Sequence, residues 1–137
     1  MFIKRIAVPL AEDEVYLQSI AALNGFAPRI YDICKDSDNW TVTMDDLGHT
    51  NTLSNIYGED AEKIPDWIWD EIRFIMNVLI DEGIEYVDIT SYNFMEVDGK
   101  IFVVDFGDAK YIRKGVSMNW FLRDFIDGHN GWNPDFR

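Results

Sequence analysis

From residue 65 to residue 82 the apolar positions Ile68, Ile72, Ile75, Met76, Leu79 and Ile80 recur at three- and four-residue spacing. That period lays one wide apolar stripe along a helix. Pro65 stands where a first-turn proline is tolerated, Asp66, Asp70 and Glu71 put acid at the positive end, and Gly83 ends the run. The pattern then changes. FMEV-DG-KIFVV, residues 94–104, reads as two strands around Asp98-Gly99, a preferred two-residue hairpin turn. The first half carries shorter signals. Residues 2–7 alternate as a strand, and residues 11–23 read as a helix with an uneven apolar face of Tyr16, Leu17, Ile20, Ala21 and Leu23. Asn24-Gly25 supplies left-handed residues to stop it. Residues 29–34 and 40–44 are strands joined by the polar turn KDSDN. Residues 117–127 read as a short helix, and the tail GHNGWNPDFR as irregular. The expectation is an α+β chain with a small antiparallel sheet and one helix, followed by a mainly helical part built on the 65–82 helix.

Nothing repeats and no Pro/Gly/Ser-rich linker divides the chain, so residues 1–137 read as a single domain. Its residues are 47% hydrophobic and 15% aromatic, ample for a packed core. No apolar run reaches the roughly 18 residues of a spanning helix, and the N-terminus lacks the h-region of a signal peptide. One cysteine, Cys34, cannot make an internal disulfide, so the expected setting is reducing and cytoplasmic. Acids outnumber bases 25 to 12, a net charge of −13 that a phosphate backbone would repel. Generic nucleic-acid binding is therefore not expected, and the cluster Lys110, Arg113 and Lys114 reads as a solvated turn. Divalent cations suit such a balance.

The chemistry concentrates in residues 83–93, G-I-E-Y-V-D-I-T-S-Y-N, between the long helix and the hairpin. Asp88 and Asn93 share one loop, and the hairpin returns the chain to Asp105-Phe106-Gly107. Hard cations such as Mg²⁺ want oxygen ligands and are often held by one or two protein groups plus nucleotide phosphates. A spare carboxylate beside them can take a proton from an attacking hydroxyl. Gly107 is expected to supply the backbone angles for a sharp turn away. Taken singly, such residues are ordinary turn formers. Five of them at fixed spacing, each at roughly 5% frequency, occur by chance at on the order of 10⁻⁵ per chain. His49 and His129 have no spacing that suggests zinc, and Trp67, Trp69 and Met76 read as packing residues.

The segment GIEYVDITSYNFMEVDGKIFVVDFGDAKYI resembles the catalytic loop, following hairpin and Asp-Phe-Gly of protein kinases. Its wording D-I-T-S-Y-N is closest to the small atypical serine/threonine kinases of the Bud32 type. The resemblance implies that Asp88 is the catalytic aspartate and that Asn93 and Asp105 hold Mg²⁺. Upstream, residues 14–33 are similar to the helix and following strand of that group. In this register Glu14 is the helix glutamate and Lys4 the strand lysine that binds the α- and β-phosphates of ATP. Residues 44–48 (MDDLG) resemble the hinge on which adenine docks, implying nucleotide contacts for Met44, Asp46 and Gly48. The implied fold is a protein-kinase-like α+β fold with a reduced N-lobe over 1–44 and a hinge and short helical C-lobe over 45–137.

The chain departs from the family in four places. No G-x-G-x-x-G occurs, which favours either a binding module without transfer or a protein partner that supplies the phosphate cover. Tyr86 and Val87 replace the usual His-Arg, and Thr90 stands in place of a lysine, as it does in Bud32-type kinases. Little sequence separates Gly107 from the next helix, with no A-P-E motif. Two functions follow from the resemblance: a minimal ATP- and Mg²⁺-dependent phosphotransferase or ATPase, or a pseudokinase-type module that binds nucleotide or protein without transfer.

Overall fold

The structure, a computed structural model, describes residues 1–136. It is α+β, with three small antiparallel sheets and four α-helices. The first sheet has the order β1 (Phe2–Ala7), β3 (Asn39–Met44), β2 (Ile30–Lys35), so the last strand in sequence lies in the middle. Lys4 sits opposite Val42, whose side chain is buried under the sheet.

Helix α1 (Val8–Leu23) follows β1 directly and starts three residues earlier than the pattern predicts. Pro9 lies in its first turn, where its missing N–H breaks no helical bond. The helix ends in a Schellman arrangement: Phe26 N–H donates to Ala21 O and Gly25 N–H to Ala22 O, both at 2.9 Å. Only Gly25 is left-handed there; Asn24 stays right-handed. The expected face is corrected as well. Tyr16 and Leu23 are exposed, while Ala11, Glu14, Val15, Leu17, Gln18 and Ala21 are buried. Two polar side chains occupy the inner face, which is why hydrophobicity alone misplaced it.

Helix α3 (Asp66–Asp81), capped by Pro65, buries Ile68, Trp69, Ile72, Ile75, Met76 and Leu79, with Ile80 partly covered. Pro65 thus precedes the first turn, and of the three acids only Asp66 lies within it. Around this stripe pack Phe94, Val103, Phe106, Phe121 and Phe125. They come from β5 (Phe94–Val97), β6 (Lys100–Val103), the turn after β6, and α4 (Trp120–Ile126). The hairpin turn is as expected: Asp98 and Gly99 both have positive φ, 52° and 77°, the twist that a two-residue turn needs. A smaller core of Ile6, Ala11, Val15, Val42 and Met44 lies under the first sheet. Helix α1 serves both cores, since Leu17 and Ala21 belong to the larger one.

Three elements have weak sequence signals: the short helix α2 (Leu53–Tyr57) and the two-residue strands β4 (Ile84–Glu85) and β7 (Lys110–Tyr111), which pair with each other. The tail is not wholly irregular as expected, since Pro134–Phe136 form a 3-10 turn, and Trp132 and Asn133 are buried. Among the described residues no helix is long and apolar enough to cross a membrane.

Candidate functional site

The first sheet ends at Met44, and the chain then passes through residues 45–52 to the helical part. A cleft of about 480 Å³ opens beside this crossing, within the range of small-molecule sites. Of the sequence-predicted residues, Lys4, Met44, Asp46, Gly48, Asn93 and Asp105 all line it. Glu14 and Asp88 do not, and each is tied to a residue that does.

Lys4 projects from β1 and its Nζ meets Glu14 Oε2 at 2.5 Å. Glu14 is almost wholly buried, so its charge needs this partner. The same Nζ lies 3.6 Å from Asp105 Oδ1. Residues 4, 14 and 105, from a strand, a helix and the turn after a hairpin, thereby converge on one point. Asp105 has a left-handed backbone, φ 63°, which aspartate tolerates better than most residues because its side chain can bond locally. Here Asp105 Oδ1 accepts the Gly107 N–H at 3.0 Å.

The expected role of Gly107 needs correction. Its φ is not positive; the left-handed residue of this turn is Asp105. Glycine at 107 leaves room between two carboxylates. A Cβ there would stand 3.2 Å from Asp105 Oδ1 and 3.3 Å from Glu14 Oε1. A side chain at 107 would press on both carboxylates, which would have to give by a few tenths of an ångström.

On the other wall, Asn93 is buried and donates from Nδ2 to Asp88 O at 3.1 Å. That leaves its Oδ1 as the atom available to a cation. Asp88 is 6% exposed and accepts the Thr90 hydroxyl at 3.3 Å. Burial pushes its carboxyl above the ordinary range, and the charges of Asp108 and Asp105 push the same way. The bonds from Asn93 and Thr90 partly oppose them. A second cavity of about 230 Å³ lies on the Thr90 side, lined by Glu59, Thr90, Ser91, Tyr92 and Trp132. Tyr92 lines both cavities, so residues 90–93 form a wall between them.

At the crossing, Asp46 turns back on itself, its Oδ1 accepting the Gly48 N–H at 2.9 Å. Gly48 has φ 81°, so this turn needs glycine. Asp45 accepts from the Tyr31 hydroxyl at 2.5 Å and from the Arg29 backbone at 3.0 Å, bonds that hold its carboxyl below the usual range.

Gln18 escaped the sequence reading, and Tyr86 entered it only as a replacement with no role of its own. Gln18, one turn after Glu14 on the same helix face, lines the cleft and donates to Pro28 O at 3.0 Å and towards Met44 Sδ at 3.4 Å. Its i,i+4 spacing from Glu14 was the available signal. Tyr86 lies two residues before Asp88. Its buried hydroxyl is shared between Val104 O at 2.8 Å and Asp105 O at 3.0 Å, tying the Asp88 loop to the Asp105 turn.

The donor set suits a hard cation only when a ligand completes it. Among the described residues no three His, Cys, Asp or Glu side chains gather around one point. Magnesium sites of the nucleotide type need no such cage, because phosphates supply the remaining oxygens. Asn93 Oδ1 and the second oxygen of Asp105 fit that arrangement.

No protein-family model matches the chain. A protein of Methanococcus maripaludis strain C5, described as a probable bifunctional tRNA threonylcarbamoyladenosine biosynthesis protein, is 35% identical to it over 100 residues. The match takes in 70% of this chain and 16% of that protein, so the chain spans about one sixth of the relative's length.

Proposed function

We propose that this chain is a kinase-like Mg²⁺–ATP domain that transfers or hydrolyses the γ-phosphoryl group, with residues 1–44 as a reduced N-lobe and residues 45–137 as hinge and short C-lobe. One observation carries the reading: the Lys4–Glu14 pair, 2.5 Å apart and 3.6 Å from Asp105, at the edge of a cleft that Asn93 also lines. A structural ion pair on a sheet surface has no reason to meet the carboxylate of an Asp-Phe-Gly turn. A phosphate site does, since it needs an oriented cation beside a metal ligand.

In this mechanism adenine lies against Met44, Asp46 and Gly48 at the crossing, and Lys4, steadied by Glu14, binds the α- and β-phosphates. Asn93 and Asp105 would hold the magnesium ion, which when bound would supply positive charge beside the transferring group. Asp88 accepts the proton of the attacking hydroxyl or water as its oxygen bonds to the γ-phosphorus, and ADP leaves with the bridging oxygen's electron pair. Burial raises the affinity of the Asp88 carboxylate for a proton, the direction that serves a general base.

The relative's description connects that protein with tRNA threonylcarbamoyladenosine biosynthesis. If this chain serves a comparable process, its net charge of −13 favours a protein partner over direct contact with RNA. The alternative is a pseudokinase-type module that binds nucleotide or protein without transfer. One observation favours it: Asp88 is buried and outside the cleft lining.

The readings separate in two measurements. Calorimetry should show Mg²⁺-dependent ATP binding that Asp105→Ala abolishes. Release or transfer of labelled γ-phosphate should fall by ~10²-fold or more in Asp88→Asn, the range for a lost general base, with binding nearly intact. Equal background rates in wild type and Asp88→Asn, alone and with candidate protein partners, would reject catalysis and leave the binding module.

A further inference from the structure

Asp88 lies on a stretch without a sheet ladder of its own. Ile89 N–H donates to Val87 O at 2.8 Å, closing a three-residue turn centred on Asp88. The carbonyls of this turn are held by donors from outside it. Asn133 Nδ2 donates to Val87 O at 2.8 Å, Asn93 Nδ2 donates to Asp88 O at 3.1 Å, and the Asn133 backbone N–H donates to Ile89 O at 2.8 Å. Asn133 therefore grips the chain on both sides of Asp88, from the far end of the sequence.

The grip is itself braced. Asn133 has no exposed surface, and its Oδ1 accepts the Asp135 N–H at 3.0 Å. Next to it Trp132 packs on Trp69 of α3 at 4.6 Å between ring centroids. Beyond it, the Tyr92 hydroxyl donates to Phe136 O at 2.7 Å. The tail is thus anchored on the central helix and on the same loop.

We infer that Asn133 is a positioning residue that fixes the backbone on either side of Asp88 and with it the place of the Asp88 carboxylate. Buried carbonyls need donors wherever they occur. Yet one side chain and its own N–H meeting the two residues that flank one carboxylate is more than satisfaction of stray groups. Displacements near 1 Å at a reacting group cost on the order of 10²-fold in rate. The inference rests on the role proposed for Asp88 above.

The test compares wild type, Asp88→Asn, Asn133→Ala and Asn133→Asp, the last of similar shape but without the Nδ2 donor. Asn133→Ser, with a shorter donor, is a milder variant should the others fail to fold. Asn130→Ala is the control: it removes another tail bond, Arg73 Nη2 to Asn130 Oδ1 at 2.6 Å, and touches none of the bonds described for Asn133. Each is assayed for Mg²⁺-ATP affinity by calorimetry, γ-phosphate turnover, and amide hydrogen exchange by mass spectrometry. The Asn133 variants should keep ATP affinity within about 3-fold, lose about 10-fold or more in turnover, and exchange faster at residues 86–91 than at 40–48. Asn130→Ala should match wild type in all three.

Faster exchange spread over the whole chain, or unchanged at 86–91, overturns the inference. So does full turnover in the Asn133 variants while Asp88→Asn is inactive, an outcome that leaves the phosphotransfer reading standing. If wild type itself shows no Asp88-dependent turnover, the phosphotransfer reading fails first and the positioning role falls with it.

Discussion

Asp88 occupies a place that is costly for a charged group. Its carboxyl is raised by burial first and by nearby acids second. The sign for stability follows from linkage. Between the unfolded and the raised folded value the native state holds more protons than the unfolded chain. Stability contributed by Asp88 is thus fully present below the unfolded value and is lost as pH rises through the folded one. Asp88→Asn, which cannot ionise, is expected to melt higher than wild type at pH 7, with the difference closing below about pH 4. Thermal melts across that range check it, and a lower melting point for the variant at pH 7 would contradict the account. Gly107 makes the opposite kind of demand. Gly107→Ala places a methyl group against both Asp105 and Glu14, and the carboxylates must give by a few tenths of an ångström. About a 10-fold or greater loss of Mg²⁺-ATP affinity is expected by calorimetry, equivalent to about 1.4 kcal/mol. Tyr86→Phe removes the donor that serves Val104 O and Asp105 O. Chemical denaturation should show a loss of about 1–3 kcal/mol, the range for buried polar groups left without a partner.

Among the elements, α3 sets the larger core. Ile72 and Leu79 are fully buried on it, against the hairpin and α4. Ile72→Ala should cost about 2–5 kcal/mol by urea denaturation, the range for a deleted buried side chain. A cost below about 1 kcal/mol would mean that the helix does not pack as described. Helix α1 has the more functional part. It brings Glu14 and Gln18 to the inner face beneath Lys4 and Met44, and carries Leu17 and Ala21 into the larger core. The element that aligns the lysine is thereby fastened to the element that supports the Asp105 turn. Lys4→Met leaves the buried Glu14 without its cation, so reduced ATP affinity and reduced stability are expected together in calorimetry and melting.

At the scale of the whole molecule the excess of acid dominates. Twenty-five acids against twelve bases on 137 residues repel one another in the compact state. Screening by salt shortens that repulsion to about 8–10 Å near physiological ionic strength. The melting temperature should therefore rise between 10 mM and 300 mM NaCl, most steeply at the low end. A fall over that range would show that attractive pairs such as Lys4–Glu14 outweigh the net charge. The same excess makes a divalent cation a natural companion for bound nucleotide, because ATP alone would add negative charge to a negative surface.

The amino-acid sequence by itself determined the elements whose signals are local. The α3 period, the Asp98-Gly99 turn and the strand alternations depend on neighbours a few residues away, and each lies within a few residues of where the pattern puts it. That Asn93 and Asp105 come to one cleft was legible for the same reason, as one hairpin joins them, whereas Asp88 lies outside its lining. The inner face of α1 was not. Glu14 and Gln18 are polar, and only their partners across the fold make burial tolerable. The demand on Gly107 was not legible either, since it arises from a glutamate more than ninety positions earlier meeting an aspartate two residues before it. Nor was the grip of Asn133 on Val87 and Ile89, in a tail without periodicity. Local period speaks through the chain, whereas a buried polar contact between distant residues exists only once the chain has closed on itself.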